Sequence, residues 1–395
     1  MGSWRPVPLP GRFAAARRSR LVGRRNELLA LERIWPRVEA GDGQVVLIGG
    51  EPGCGKTRLA AELAGALHDH GVTVLVGAAG RDAGVPYAPF VEILDHLLEH
   101  GDPDAIAELL DGAPFDLRRL SARAAPLPLD ADETVGDLRR DLYDALAQLF
   151  RRLSKDRPLA VVIEDLHWAT SPTVALLEHL AGSCVNAHTL LVASLRTTAP
   201  DHSAELSERL AELHRLGGVH RLDLGGLDTE AITEFVSHHT GIPPAGARAP
   251  AAMLRDRTGG NPFFLRELWA DLERRGGVSA LRGRQHIPAS IADTVGARMA
   301  GLGPAVRKTI ELAAVLGETF DLATLIRAGE GGREPIIDAV DAATAVGLVE
   351  ALDETPARYG FVHALTREVV LDRLPSARLR LLNARVAKAL DRGRA

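Results

Sequence analysis

Cysteine is almost missing from this chain of 395 residues: Cys54 and Cys184 are the only two. So few thiols exclude a disulfide framework, and their separation lacks the paired spacing of a zinc knuckle or a dithiol redox motif. Long apolar runs are missing as well. No window approaches the roughly 20 uncharged residues of a membrane span, and the N-terminus MGSWRPVPLPGRFAAARRSR has no apolar signal core. A cytoplasmic protein, neither secreted nor inserted in a membrane, is expected. Lysine occurs only at Lys56, Lys155, Lys308 and Lys388, and arginine supplies the rest of the positive charge, a bias read as genomic rather than functional. With a net charge of -5 and a pI near 6.3, nothing global favours nucleic acid or an anionic membrane surface. His68 and His70, and His238 and His239, stand outside any H-E-x-x-H pattern and read as surface helix residues; there is no G-x-S-x-G elbow and no guanine-reading N-K-x-D.

The chain does have enough apolar residues to fold. Hydrophobic residues make up 46% and charged residues 25%, and the length exceeds what one core usually supports, so two or three packed modules are expected. Residues 1–19, with Pro6, Pro8 and Pro10 and no apolar periodicity, read as an extended linker cut from something upstream. Asn26 to Ala40 has helical spacing, with Pro36 expected to kink or shorten it. Apolar runs at Gln44 to Ile48, Val72 to Val76, Leu159 to Ile163, Thr189 to Ala193 and, more weakly, His220 to Leu224 alternate with helical patterns. Continuous runs suit strands buried on both faces, and the alternation predicts a parallel five-stranded sheet covered by helices. Beyond residue 226 come helical patterns at Asp228 to Val236, Ala251 to Arg257 and Phe263 to Arg274. Further helices follow from residue 288, with a hairpin expected at Leu348 to Ala351 and Arg358 to Val362. There is no internal repeat.

One segment carries specific chemistry. Val45 to Thr57 reads strand, glycine-rich turn, helix start, and Gly50-Glu51-Pro52-Gly53-Cys54-Gly55-Lys56-Thr57 matches G-x-x-x-x-G-K-[ST]. Glycines at 50, 53 and 55 permit the positive φ values that turn successive N–H groups inward, and the helix that follows adds its dipole to the same anion site. Cys54, Gly55 and Arg58 belong to the same cofactor-binding stretch. Lys56 is expected to reach the β- and γ-phosphates of ATP, or the β-phosphate alone in ADP, and Thr57 to complete a Mg²⁺ shell. Such a site needs an acid at the end of a neighbouring buried strand, and Leu159 to Asp165 supplies two. Glu164 is assigned to the metal and Asp165 to polarising the attacking water, so that Asp165, Lys56 and Arg196 form the catalytic set. Arg196 ends its own strand, where a parallel sheet presents residues to its ligand crevice, and is expected to sense the γ-phosphate. Taken alone, Gly259-Gly260-Asn261-Pro262-Phe263-Phe264 is only a helix start, and His363 a half-buried histidine.

In combination these segments resemble something known. Leu21-Val22-Gly23-Arg24-Arg25-Asn26-Glu27-Leu28, the GEPGCGKT loop, VVIEDLHWA (161–169), LLVASLRTT (190–198), GGNPFF (259–264) and FVHALTREVV (361–370) occur in the order seen in STAND-class P-loop ATPases. The chain is similar to the nucleotide-binding module of bacterial LuxR-type and SARP-type transcriptional regulators from about residue 20 to its end. The resemblance implies an α/β P-loop NTPase of the ASCE type over 20–226, a helical lid over 227–287 and a winged helix over 288–395. It implies that Val22, Gly23 and Arg24 lie by the adenine, that Pro262 packs on the base, that Arg196 reads phosphate, and that His363 touches the β-phosphate of ADP in a closed state. Glu164 replaces the commoner Asp, Thr170 stands where many relatives have an acid, and Asn383 replaces a frequent histidine. These departures bear on turnover more than on binding.

The function expected is a Mg²⁺-dependent ATP/ADP switch with slow hydrolysis, self-associating in the ATP state and controlling a transcriptional regulator. DNA is expected to be reached only through domains absent from the chain, which reads as an excised module. Three other readings compete. A steady-state AAA-like ATPase needs an arginine finger that cannot be assigned. A small-molecule kinase needs an acceptor pocket. A DNA-binding winged helix would use Arg378, Arg380 and Arg385, whose spacing also suits a solvated helix face.

Overall fold

The computed structural model describes residues 5–80, 85–120, 133–197, 204–282, 286–354 and 357–392. Residues 1–4 of the expected linker, Thr198 of LLVASLRTT and residues 393–395 lie outside them. The chain divides into two compact units, with the second beginning at Gly225.

In chain order the first unit contains α1 (Gly11–Ala16), α2 (Arg25–Glu39), β1 (Gln44–Gly50), α3 (Lys56–Asp69), β2 (Thr73–Ala78), α4 (Ala88–His100) and α5 (Pro103–Leu110). It continues with α6 (Glu133–Leu153), β3 (Leu159–Glu164), α7 (Ser171–Ser183), β4 (Thr189–Ser194), α8 (Ala204–Arg215) and β5 (Val219–Leu224). The strands form one sheet in the order β2-β3-β4-β1-β5, with every pair parallel. Successive side chains of a strand point to opposite faces, and here both faces are covered. Val45, Leu47, Val161, Ile163 and Leu191 join a core with Phe90 of α4, Phe150 of α6 and Leu177 of α7. Their neighbours Val46, Ile48, Ala160, Val162 and Val192 join a second core with Leu31 of α2 and Leu59 of α3. That two-sided burial is why the central strands read as unbroken apolar runs. The edge strand β5 is only partly buried, which accounts for its weaker pattern.

One expectation fails here and half of another. Residues 5–19 are no extended linker: they include α1, and Val7 and Phe13 are fully buried. The prolines stop short of the helix, and Phe13, the apolar anchor, has no periodic companions to announce it. Pro36 does not shorten α2, which runs on to Glu39 because Val38 in its last turn is buried in the core.

The second unit contains α9 (Thr229–Thr240), α10 (Pro244–Thr258), α11 (Pro262–Arg274), α12 (Ala289–Ala300), α13 (Pro304–Leu316), β6 (Thr319–Asp321), α14 (Leu322–Ala328) and α15 (Arg333–Ala345). It ends with β7 (Val349–Glu354), β8 (Ala357–Phe361), α16 (Ala364–Asp372) and α17 (Ser376–Arg392). The expected hairpin is β7–β8, antiparallel, joined on its other side by the short strand β6, which the sequence did not announce. No division between compact units appears near residue 287, where lid and winged helix were expected to part. Both α10 and α12 pack against α16, so the second unit holds together as one body.

Candidate functional site

At the C-terminal end of β1 the chain turns through a loop that only glycine can build. Gly50, Gly53 and Gly55 take φ values of 149°, 84° and 100°, in line with the glycine pattern. A Cβ at Gly50 would lie 2.7 Å from Cys54 Sγ and 2.8 Å from the Leu224 carbonyl, so no side chain fits. No side chain caps α3, which leaves its first N–H groups available to an anion. Lys56 is buried, and its Nζ donates to the carbonyls of Gly50 (2.8 Å) and Glu51 (2.9 Å), folding the ammonium back over the loop. Burial holds Lys56 below the ordinary lysine range, with Cys54 and Asp165 partly offsetting the shift and Arg196 adding to it. Burial likewise pushes the Cys54 thiol up.

Arg24 braces this loop from below. It is buried, donating from Nη2 to the Cys54 carbonyl (2.9 Å) and from Nη1 to Glu27 (2.8 Å). Val22 and Gly23 just ahead of it are more accessible, and Gly23 takes a φ of 67°. In the first turn of α3, Thr57 is exposed and Arg58 pairs with Glu62.

The two acids sit at the end of β3, which is not the immediate neighbour of β1: β4 lies between them. Glu164 is 4% exposed. Its Oε2 accepts from Arg12 Nε at 3.1 Å, whereas Oε1 is buried with no hydrogen-bond partner among the described residues. Burial raises the Glu164 carboxyl above the usual carboxylate range; the Thr57 hydroxyl and the Arg12 guanidinium favour its charged form but do not cancel the shift. Asp165 is one of two described non-glycine residues with positive φ, at 54°. Such a backbone costs on the order of 1 kcal/mol and tends to mark functional sites. Its N–H donates to Ser194 Oγ (3.0 Å), at the end of β4, and its side chain is 45% exposed. Arg196, two residues further along, lies over the Trp168 ring at 5.3 Å from the centroid, a cation–π contact that orients the guanidinium.

Glu164, Asp165 and Arg196 thus come from the carboxyl ends of β3 and β4 or just beyond, and Lys56 and Thr57 from the helix start that follows the loop after β1, all at the edge where open parallel sheets bind ligands. The buried, unpaired Glu164 oxygen and the Thr57 hydroxyl are hard oxygen donors that fit a small divalent cation. Among the described residues no group of three or more His, Cys, Asp and Glu could hold a metal alone. A cation here would complete its shell with phosphate oxygens and water, as Mg²⁺ commonly does.

Pro262 and His363 belong to the second unit. Gly259 and Gly260 take φ values of 59° and 75°, the Asn261 side chain caps α11 through the Phe263 N–H (3.0 Å), and Pro262 fills the first helical position. The buried His363 ring stands edge-on to Phe264, with centroids 4.8 Å apart, and a Cβ at Gly259 would lie 2.4 Å from its Nδ1. The two motifs GGNPFF and FVHAL therefore pack directly together. The residues that sequence reasoning missed are Arg12, which pairs with Glu164, Glu92, which pairs with Arg12, and the ring of Trp168 beneath Arg196. Only Trp168 lay inside a quoted motif.

Residues 20–192 match the family model described as an AAA ATPase domain. An uncharacterized protein of Rhizobium meliloti (strain 1021) is 24% identical over 95% of this chain, which spans 37% of that relative's length. Among solved structures, a Walker-type ATPase of Pyrococcus abyssi superposes with a TM-score of 0.54 at 15% identity, covering 89% of this chain and 98% of that one. A STAND protein with a tetratricopeptide repeat sensor from Pyrococcus horikoshii is also similar, with a TM-score of 0.39 at 15% identity, over 100% of this chain and 47% of that one. The parallel five-stranded sheet is that of the P-loop NTPase fold, and residues 20–192 are similar to an ATPase domain. Among the described residues no helix is long and apolar enough to cross a membrane.

Proposed function

We propose that the chain is a Mg²⁺-dependent ATP/ADP switch, a slow ATP hydrolase in which the bound nucleotide selects between two conformations and thereby controls a larger transcriptional regulator. The observation that carries this reading is the convergence of the glycine loop, Lys56, and the Glu164–Asp165 pair on one edge of the sheet. In this reading the loop N–H groups and Lys56 hold the β- and γ-phosphates, with Lys56 exchanging its two loop carbonyls for phosphate oxygens. Thr57 and Glu164 hold the magnesium ion, which when bound neutralises charge building on the phosphates. Asp165, half exposed, accepts a proton from the attacking water. Arg196, oriented by Trp168, reads the γ-phosphate. Val22, Gly23 and Arg24 line the adenine, and Arg58 belongs to the same stretch. Pro262 and His363 keep the roles the resemblance implies, base packing and contact with the β-phosphate of ADP. Their support is the direct packing of their two motifs within the second unit.

A switch requires that ATP and ADP bind the two conformations with different affinity, since equal affinity shifts nothing. The regulator context rests on the resemblance and on the length of the curated relative beyond the matched stretch. Self-association in the ATP state, a cytoplasmic location, and DNA contact through other domains belong to the same proposal. The test is the nucleotide released when purified protein is denatured, measured beside Lys56→Ala. Near-stoichiometric ADP in the wild type and none in the variant is expected. An empty protein that turns over ATP steadily would overturn the switch in favour of a working ATPase.

A further inference from the structure

The Glu164 carboxylate already has a cation beside it. Arg12, from α1, reaches across to Glu164 Oε2 and also pairs with Glu92 of α4, whose other oxygen accepts from the Ala78 N–H at the end of β2. Nothing in covalent structure forces this meeting, since 152 residues separate Arg12 from Glu164. What brings them together is the docking of residues 7–19 between α3 and α4. His68 on α3 donates to the Val7 carbonyl (3.1 Å), His96 on α4 donates to the Pro8 carbonyl (2.7 Å), and Arg17 pairs with Asp69 (2.9 Å). Arg58, in the first turn of α3, donates to the Ser19 carbonyl. Val7 and Phe13 are buried beneath the segment. At six residues and without a side-chain cap, α1 is far too short to be helical alone, so its order comes from this docking.

We propose that Arg12 is a built-in counter-cation of the metal site, and that docking of residues 7–19 and loading of a divalent cation at Glu164 oppose one another. The inference rests on the reading of Glu164 as the acid on the metal side. In the metal-free state the guanidinium supplies the positive charge that a nearly dry carboxylate requires. A divalent cation brought to the free Oε1 places like charge beside Arg12, and the two repel. Because Arg12 is 37% exposed and anchored also to Glu92, it has somewhere to go when the cation arrives. Linkage then works both ways: the docked segment weakens cation binding, and cation binding loosens the segment by the same factor. The charge state of the nucleotide site would thereby be relayed to the front of the chain.

The experiment uses the full chain and magnesium chloride as the probe. A fluorescent ADP analogue reports nucleotide affinity as Mg²⁺ is titrated into wild type, Arg12→Ala and Glu164→Gln, and hydrogen exchange follows residues 5–20 with ADP in EDTA and with ADP plus Mg²⁺. The expected result is a half-saturating Mg²⁺ concentration about fivefold lower in Arg12→Ala, with ADP affinity in EDTA unchanged. Exchange in residues 7–19 of the wild type should rise when Mg²⁺ is added. Where alanine loosens the fold, Arg12→Gln, which keeps much of the stem, gives the same readout. An unmoved midpoint in the Arg12 variants together with exchange indifferent to Mg²⁺ overturns the proposal; if Glu164→Gln still raises the midpoint, the reading of Glu164 survives it. A midpoint unmoved by Glu164→Gln overturns that reading, and the counter-cation falls with it.

Discussion

The two units place their capping and charged side chains differently. In the second unit three polar side chains finish helices: Asp228 caps α9 through the Ala231 N–H, Asn261 caps α11, and Asp321 caps α14 through the Thr324 N–H. Each of these side chains meets a donor within three residues, so the helix end is satisfied locally and the result is stability. In the first unit Lys56 and Glu164 are buried charges at one edge of the sheet, and Glu164 depends on a partner far away in sequence. Lys56 leans on carbonyls of its own loop, Glu164 on Arg12, and one Glu164 oxygen has no partner among the described residues. A buried polar atom left unmatched costs about 1–3 kcal/mol. Strain of that kind persists where a ligand is to be received. The contrast is between helix ends closed by their own neighbours and a sheet edge whose acid keeps one oxygen unmatched among the described residues.

Three changes would break or sharpen this comparison. The largest effect is expected from Gly260→Ala in the second unit. Gly260 takes a φ of 75°, and a Cβ there would lie 2.3 Å from the Leu227 carbonyl, with rigid backbone on the other side of the clash. A loss of about 2–4 kcal/mol in unfolding free energy is expected by denaturant titration; a change within 0.5 kcal/mol would mean that this turn is not the fixed point it looks to be.

In the first unit the sign reverses. Burial raises the Glu164 carboxyl, so the folded protein holds that proton to a higher pH than the unfolded chain does. The stability associated with it is greatest below the unfolded carboxylate value and is lost as pH rises through the raised value. Glu164→Gln removes this dependence and should stabilise the metal-free protein by about 1 kcal/mol at pH 8, with less difference at pH 4. Denaturation curves at the two values decide it, and a destabilised variant at pH 8 would place Glu164 with the satisfied groups of the second unit. The smallest effect is expected from Asp228→Ala, which should cost about 0.5 kcal/mol as one exposed cap of α9 is lost, with no dependence on Mg²⁺.

How much of this was legible in sequence follows the same division. The sheet could be read because each central strand is buried on both faces and so written as a continuous apolar run. The glycine loop could be read because its chemistry lies within eight consecutive residues. The acids were placed at a strand end, but the strand between them and the loop was not foreseen, since strand order leaves no local mark. Arg12 was invisible for a related reason: its partners are 80 and 152 residues away, and its helix has neither periodicity nor a cap. Strand β6, three residues long, is held by its pairing with β8 rather than by its own pattern.

The position of β4 has one more consequence. Because β4 is hydrogen-bonded to β1 on one side and β3 on the other, the loop and the acids stand two strand spacings apart, about 10 Å. Backbone geometry alone sets that gauge. Substitutions along the edge can therefore retune charge, proton affinity or cation preference without altering the width across which they act, and the same sheet can carry a fast enzyme or a slow one.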